Sequence, residues 1–336
     1  PEVELAMTIA TELTRLLGIQ HPILSAPMDL IAGAKLTAAV SEAGGFGILG
    51  GGYGDRDWLE MEITALRAAL PASKPFGVGF ITWSLAKDPQ LLRTALAASP
   101  AAIMLSFGDP SPFASEIKSH GVHLICQVQN EKMAQQALDA GADVLVAQGT
   151  EAGGHGADRT LIDVVTSVSD LVSGRVPVVA AGGIADGRGL AAALILGASG
   201  VLLGTRFYAS EEAEGHPTAK RRICEASGDA TVRGIIFDIS RNNVWPPPFT
   251  GRCLQNAHVR KWQGRELELL QDIDRISADY SRATEAGDFD VAAVIAGQAV
   301  GLIEDILPAH VIIDRMVDEA SRLLQGHSNV IGKSAT

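Results

Sequence analysis

The sequence predicts an α/β protein: an eight-stranded parallel barrel, (β/α)8, with a smaller helical part following it. Three observations point there. Between about residues 18 and 208, short apolar runs alternate with longer alanine- and leucine-rich segments, the pattern of repeated βα units around a parallel sheet. The apolar runs number eight, which is the number that closes such a barrel. Runs buried on both faces suit a doubly wound sheet equally well, but the glycines cluster after the second, sixth, seventh and eighth runs. A dinucleotide-binding sheet calls instead for GxGxxG straight after the first.

In chain order the predicted strands are 22–26, 45–49, 76–80, 102–106, 122–127, 143–147, 176–180 and 200–203. The helices between them are 31–43, 56–70, 89–97, 112–120, 131–140, 160–171 and 187–196, each with apolar residues at helical spacing. Gly44, Gly141 and Gly197 follow helices, where glycine ends the last turn in the left-handed conformation. Past Tyr208 the repeat stops. A charged helix is predicted over 211–227, an extended segment over 232–239, and Trp245-Pro246-Pro247-Pro248 reads as a stiff connector. Helices over 264–285 and 291–306 follow, then a helix over 310–324 that returns to the barrel wall, and a polar tail, 326–336, expected to be disordered. The expected division is a barrel over 1–213, a mainly helical layer beside the barrel mouth over 214–305, and the final helix with its tail over 306–336.

Composition narrows the class. The 336 residues are 47% hydrophobic and 20% charged, as in an ordinary globular protein with a full core. A net charge of -12 with no basic run argues against nucleic acid as a partner. No apolar segment reaches the ~18 residues that a membrane span needs, and the N-terminus as given lacks the charged-then-apolar pattern of a secretion signal. Cys126, Cys224 and Cys253 are far apart and show no metal-ligand spacing, so the expectation is a reducing, cytoplasmic setting and no metal.

The chemistry concentrates in the glycine-rich loops. Leaving the sixth strand, Ala147-Gln148-Gly149-Thr150-Glu151-Ala152-Gly153-Gly154-His155-Gly156 places one imidazole among four glycines, where the main chain can approach a flat ligand closely. Glu151 and Asp158 flank His155, and the sequence alone assigns neither as its orienting partner. After the seventh strand, Ala181-Gly182-Gly183-Ile184-Ala185-Asp186-Gly187 opens a helix, and after the eighth comes Gly204-Thr205-Arg206. Paired glycine loops at consecutive strand ends are where a barrel holds phosphate through backbone N–H groups. Trp245, Phe249 and Trp262 are candidates for either a pocket wall or core.

His21-Pro22-Ile23-Leu24-Ser25-Ala26-Pro27-Met28, Ala152-Gly153-Gly154-His155-Gly156, Ala181-Gly182-Gly183-Ile184-Ala185-Asp186-Gly187-Arg188-Gly189 and Leu203-Gly204-Thr205-Arg206-Phe207, in that order, resemble the nitronate monooxygenase family, formerly called 2-nitropropane dioxygenases. The resemblance covers nearly the whole chain. Its motifs are shared with the FMN-dependent enoyl-acyl carrier protein reductases of the same superfamily. It implies an FMN-binding TIM barrel with a helical substrate-side domain. Pro27 and Met28 would border the isoalloxazine, Gly182, Gly183, Gly204 and Thr205 would hold the phosphate, Gly153, Gly154 and His155 would face the reacting side, and Ala26 and Ala181 are further cofactor contacts. Two positions depart from the family pattern: Gly79 stands where many members have asparagine, and Gln127 where some place lysine beside the flavin. Both count as cofactor contacts, and a glutamine amide can bond a flavin heteroatom but brings no charge.

The implied activity is oxidation of alkyl nitronates, and of nitroalkanes, by O2 to a carbonyl compound and nitrite. His155 would be the base or the anion-binding group. Ala296-Gly297-Gln298-Ala299-Val300-Gly301 is similar to the family's late helix facing the cavity, which makes Gln298 a substrate-binding candidate. The partners implied are a small-molecule substrate and O2, with room for a homo-oligomer. Two alternatives stay open: an FMN- and NAD(P)H-dependent enoyl-thioester reductase, and a flavin-binding protein without turnover.

Overall fold

The computed structural model describes residues 8–326, so the predicted disordered tail lies almost wholly outside the described residues. The strands are β1 (Ile23–Ser25), β2 (Gly47–Gly50), β3 (Phe76–Ile81), β4 (Ala102–Ser106), β5 (His123–Val128), β6 (Val144–Gln148), β7 (Gly154–Gly156), β8 (Val178–Ala181), β9 (Gly200–Leu203), β10 (Thr231–Gly234) and β11 (Thr250–Leu254). Eight of them form one parallel sheet in the order β1-β9-β8-β6-β5-β4-β3-β2. The ends of that order meet: Leu24 bridges Phe46, Ser25 N–H donates to the Phe46 carbonyl at 3.1 Å, and Phe46 N–H to the Ile23 carbonyl at 2.9 Å. The predicted barrel is therefore present, and it is closed.

Alternation along the strands makes two cores. Leu24, Ile48, Met104, Ile125, Val146, Val179 and Leu202 cluster together in the barrel interior. Their neighbours Ile23, Leu49, Ile103, Leu124, Leu145, Val178 and Val201 belong to the cluster that takes in the surrounding helices. Successive residues of a strand face opposite ways, so one run of apolar residues serves both layers. Leu13 and Leu17 of a short helix, Glu12–Leu17, join the interior cluster and plug one end of the barrel. The helix Ala309–Gly326 buries Ile312, Ile313, Met316 and Val317 and packs on the helices Gly187–Ile195 and Ala34–Glu42.

Beyond Tyr208 several expectations are corrected. The charged helix is shorter, Pro217–Glu225. The segment 232–239 is half strand, β10, and half helix, Ile236–Ser240. The span 264–285 is two helices, Glu266–Gln271 and Ile273–Ala286. No α-helix forms over 291–306; the only helical turn there is the 3-10 turn Gln298–Leu302. The reason is tertiary. Leu254 N–H donates to the Val294 carbonyl at 2.8 Å, Ile295 bridges Cys253, and Gly297 lies so close to Gly153 that a Cβ on it would stand 2.7 Å from the Gly153 nitrogen. An extended chain makes those contacts and a helix cannot. A second sheet, in the order β10-β11-β7, links this region to the loop after β6. It is antiparallel, with Gly251 opposite His155.

Candidate active site

A cavity of about 450 Å³ opens at the carboxyl ends of the barrel strands, beneath the segments that follow Tyr208, a size within the roughly 300–1,000 Å³ of ligand pockets. Ala26, Pro27 and Met28 after β1, Gly79 in β3 and Gln127 in β5 line it. So do Gly153, Gly154 and His155, then Ala181, Gly182 and Gly183, then Gly204 and Thr205. One predicted site residue is not among its walls. Gln298 is exposed, and its backbone N–H donates to the Glu151 carbonyl at 2.9 Å. The predicted helix that would have turned Gln298 inward does not form.

His155 is 8% exposed, and its Nε2 stands 3.0 Å from both carboxylate oxygens of the buried Asp238. Arg241 Nη2 donates to Asp238 Oδ1 at 2.6 Å. The Trp245 indole lies flat against the imidazole, with ring centroids 3.4 Å apart and planes within 5°. Ring plane and ring edge are thus both held, which leaves Nδ1 as the nitrogen available to a ligand. Burial lowers the His155 pKa below its usual 6.5, and the Asp238 hydrogen bond only partly offsets this. The neutral imidazole, donating through Nε2 and carrying its lone pair on Nδ1, is the form present at neutral pH.

The strand that carries His155 is itself fastened by buried polar groups. Gln129 Nε2 donates to Gln148 Oε1 at 2.8 Å, and Gln148 Nε2 to the His155 carbonyl at 3.0 Å. From the other side, Arg233 donates to the Thr150 and Ala152 carbonyls at 2.8 and 3.2 Å, and Arg252 Nε to the Thr150 carbonyl at 2.9 Å. Burial, with the nearby Arg252 charge, lowers the Arg233 pKa to about 10.

Glycine serves different ends around this cavity. A Cβ on Gly79 would overlap the Pro27 ring, and one on Gly153 would stand 2.6 Å from Gly297 N, so both are demanded by protein packing. Gly182 has φ +112 and Gly183 φ +69, conformations that side chains rarely adopt. Gly204 is different: its φ is -100, and the nearest atoms to an added Cβ are Ala26 Cβ at 3.7 Å and Met28 Sδ at 4.0 Å. Nothing in the protein excludes a side chain there. The space is instead left open to the cavity, a cradle that a Cβ would fill.

Arg206, in the motif after the eighth predicted strand, is buried and donates to Asp305 Oδ1 at 3.0 Å and to the Ala209 carbonyl at 2.8 Å, so it is a structural ion pair. Glu151 accepts from Leu161 N–H at 3.0 Å and caps the helix Leu161–Val172, and it does not orient His155. Trp245 lines the cavity, Phe249 packs on Phe107 beside it, and Trp262 belongs to a separate apolar cluster. Sequence reasoning missed Asp238, although a lone acid in the apolar run Ile235-Ile236-Phe237-Asp238-Ile239 is a signal that can be read. It also missed Tyr53, Phe107, Arg241 and Asp29 as cavity walls. Asp29 accepts from the Tyr53 backbone N–H, and burial pushes its carboxyl up against that.

Known proteins share this architecture. A family model described as nitronate monooxygenase matches residues 10–319. Nitronate monooxygenase npaC of Metarhizium robertsii is 35% identical over 90% of this chain and 91% of its own length. A Mycobacterium tuberculosis protein named (3aS,4S,5R,7aS)-5-hydroxy-7a-methyl-1-oxo-octahydro-1H-indene-4-carboxyl-CoA dehydrogenase is 36% identical over 97% of this chain and 100% of its own. The solved structure of FabK from Thermotoga maritima is similar with a TM-score of 0.86 at 35% identity, covering 96% of this chain and 100% of that one.

Proposed function

Because this chain belongs to the nitronate monooxygenase family, an oxidoreductase family, we propose that it oxidises alkyl nitronates with O2 to a carbonyl compound and nitrite, using bound FMN. The observation that carries this reading is the His155–Asp238 pair, held in a cavity that glycine loops line at the strand ends. The residues fit a flavin. Gly182, Gly183, Gly204 and Thr205 would take the phosphate, and Ala26, Pro27 and Met28 with Gly79 and Gln127 would border the ring. The open cradle at Gly204 supports this, since no protein atom accounts for the missing side chain. When bound, the flavin supplies the electron chemistry.

The chain's own residues do the rest. Nδ1 of the neutral His155 takes the α-proton from a nitroalkane, and the imidazolium so formed donates that proton's hydrogen bond to the nitronate oxygen. Asp238 accepts from Nε2 and stabilises the imidazolium that proton removal creates, in the manner of the acid in a hydrolase triad. Trp245 covers one face of the imidazole and keeps water from it. Among the described residues lining the cavity Arg241 is the only lysine or arginine, and it is already bonded to Asp238, so a multiply charged substrate head would find no free cationic side chain there. Cys126, Cys224 and Cys253 are free thiols, and among the described residues no helix is long and apolar enough to cross a membrane.

A second reading, oxidoreduction of a CoA or acyl thioester, draws on the 36% identical relative named for a carboxyl-CoA dehydrogenase. Aerobic assay of the purified protein with propyl-1-nitronate separates the two. Stoichiometric O2 consumption and nitrite release are expected. No nitrite, together with nicotinamide-dependent turnover of an enoyl thioester, would replace the first reading with the second.

A further inference from the structure

His155 is not the only group poised over the cavity. In the barrel order, β2 and β6 lie on opposite walls. His155 follows β6, and Tyr53 follows β2 on the loop Gly51-Gly52-Tyr53-Gly54, so the two approach from opposite sides. They meet on Trp245. The indole stacks on His155, stands edge-on to Tyr53 with ring centroids 6.0 Å apart, and its Nε1 donates to the Tyr53 hydroxyl at 3.0 Å.

The Tyr53 backbone is pinned at both ends. Its N–H donates to the Asp29 carboxylate, and its carbonyl accepts from Ser84 Oγ at 3.0 Å. Gly52 and Gly54 turn the loop with φ of +48 and +101, and a Cβ on Gly52 would overlap the Asp29 carboxylate. A phenol has one proton to give. Since the hydroxyl already accepts from Trp245, its proton is left to donate, and among the described residues no acceptor takes it. Burial raises the Tyr53 pKa, so the proton stays in place at neutral pH.

We infer that the Tyr53 hydroxyl, aimed by Trp245, donates to the anionic oxygen of the substrate on the side opposite His155. This rests on the proposed function only in requiring a substrate with an oxyanion head. Trp245 then has two tasks: it fixes the base through stacking and the donor through its N–H. Phe107 packs edge-on against it with ring centroids 5.0 Å apart, and with Phe80 it lines an apolar wall for the carbon chain.

The test uses unreactive probes, so it does not depend on turnover. Butyrate presents a planar oxyanion on an apolar chain and butyramide a neutral head of the same shape. Binding of each to the flavin-loaded protein is followed by the change in flavin absorbance, a reporter that neither variant removes. Tyr53→Phe keeps the ring contacts and is expected to weaken butyrate about 10- to 100-fold, with the preference moving toward the amide by about tenfold, since bonds to charged acceptors are roughly twice as strong as neutral ones. Trp245→Phe, which frees the hydroxyl but keeps an aromatic ring, is expected to shift the preference the same way and by less. Unchanged binding of both probes in Tyr53→Phe, equal loss of both, or wild-type protein that does not prefer the anion would overturn the inference. The nitrite assay decides the functional reading separately.

Discussion

At the scale of the residue, the decisive feature is that His155 has one nitrogen committed and one left over. Nε2 is 3.0 Å from both Asp238 oxygens, so the base role proposed for His155 falls to Nδ1. Asp238→Asn keeps the shape and removes the charge that stabilises the imidazolium. Proton removal from neutral 1-nitropropane is expected to slow by about 10²- to 10⁴-fold, whereas oxidation of preformed propyl-1-nitronate, which needs no base, should change far less. Comparing kcat/KM for the two substrates checks this, and equal losses would assign Asp238 a purely structural role. The pH profile carries a second expectation. Burial lowers the His155 pKa and Asp238 raises it against that, so the acid limb for nitroalkane turnover lies below pH 6.5. It should move lower still in Asp238→Asn. An acid limb that rises in that variant would contradict the assignment of the base.

At the scale of the element, the site is built by loops whose glycines are not equivalent. Gly204→Ala meets nothing in the protein closer than 3.7 Å, so the thermal midpoint of flavin-free protein should stay as in wild type while flavin content after purification falls. Gly182→Ala puts a side chain at φ +112 and 2.9 Å from the Ala152 nitrogen, which should destabilise the fold itself by roughly 1–3 kcal/mol. Paired melting curves and flavin absorbance distinguish the two, and a large loss of stability in Gly204→Ala would remove the case for a ligand cradle. The βα repeat, the glycine loops and His155 were legible because each is a local pattern: apolar run, turn, helix. The partner of His155 was not, because Asp238 reaches it only through the pairing of β10 with β11 and of β11 with β7. The stretch 291–306 misled for the same reason. Its alanines favour a helix, but contacts with Cys253, Leu254 and Gly153 hold it extended. Gln298 left the cavity with that helix.

At the scale of the whole molecule, a closed barrel offers eight strand ends and the post-barrel segments supply the roof, so residues from Ala26 to Ala299 share one cavity. Burying that many groups has a cost in acid. Burial lowers the pKa of His21, His155 and His258 from 6.5, so the unfolded chain binds protons that the folded chain resists. The stability they contribute is present above about pH 6.5 and is lost as pH falls from there through their depressed values. Asp29 and Glu214, raised by burial, act in the opposite sense nearer the carboxylate range. The melting temperature should therefore drop between pH 7 and pH 5.5, and a flat profile would mean that these histidines are solvated. The central claim, a flavin seated beneath His155 and reduced by a nitronate, is tested most directly by the absorbance spectrum of the purified protein before and after anaerobic addition of propyl-1-nitronate. The account predicts an oxidised-flavin spectrum that bleaches on addition; a flavin that bleaches with NAD(P)H but not with the nitronate, or a protein that retains no flavin, would contradict it.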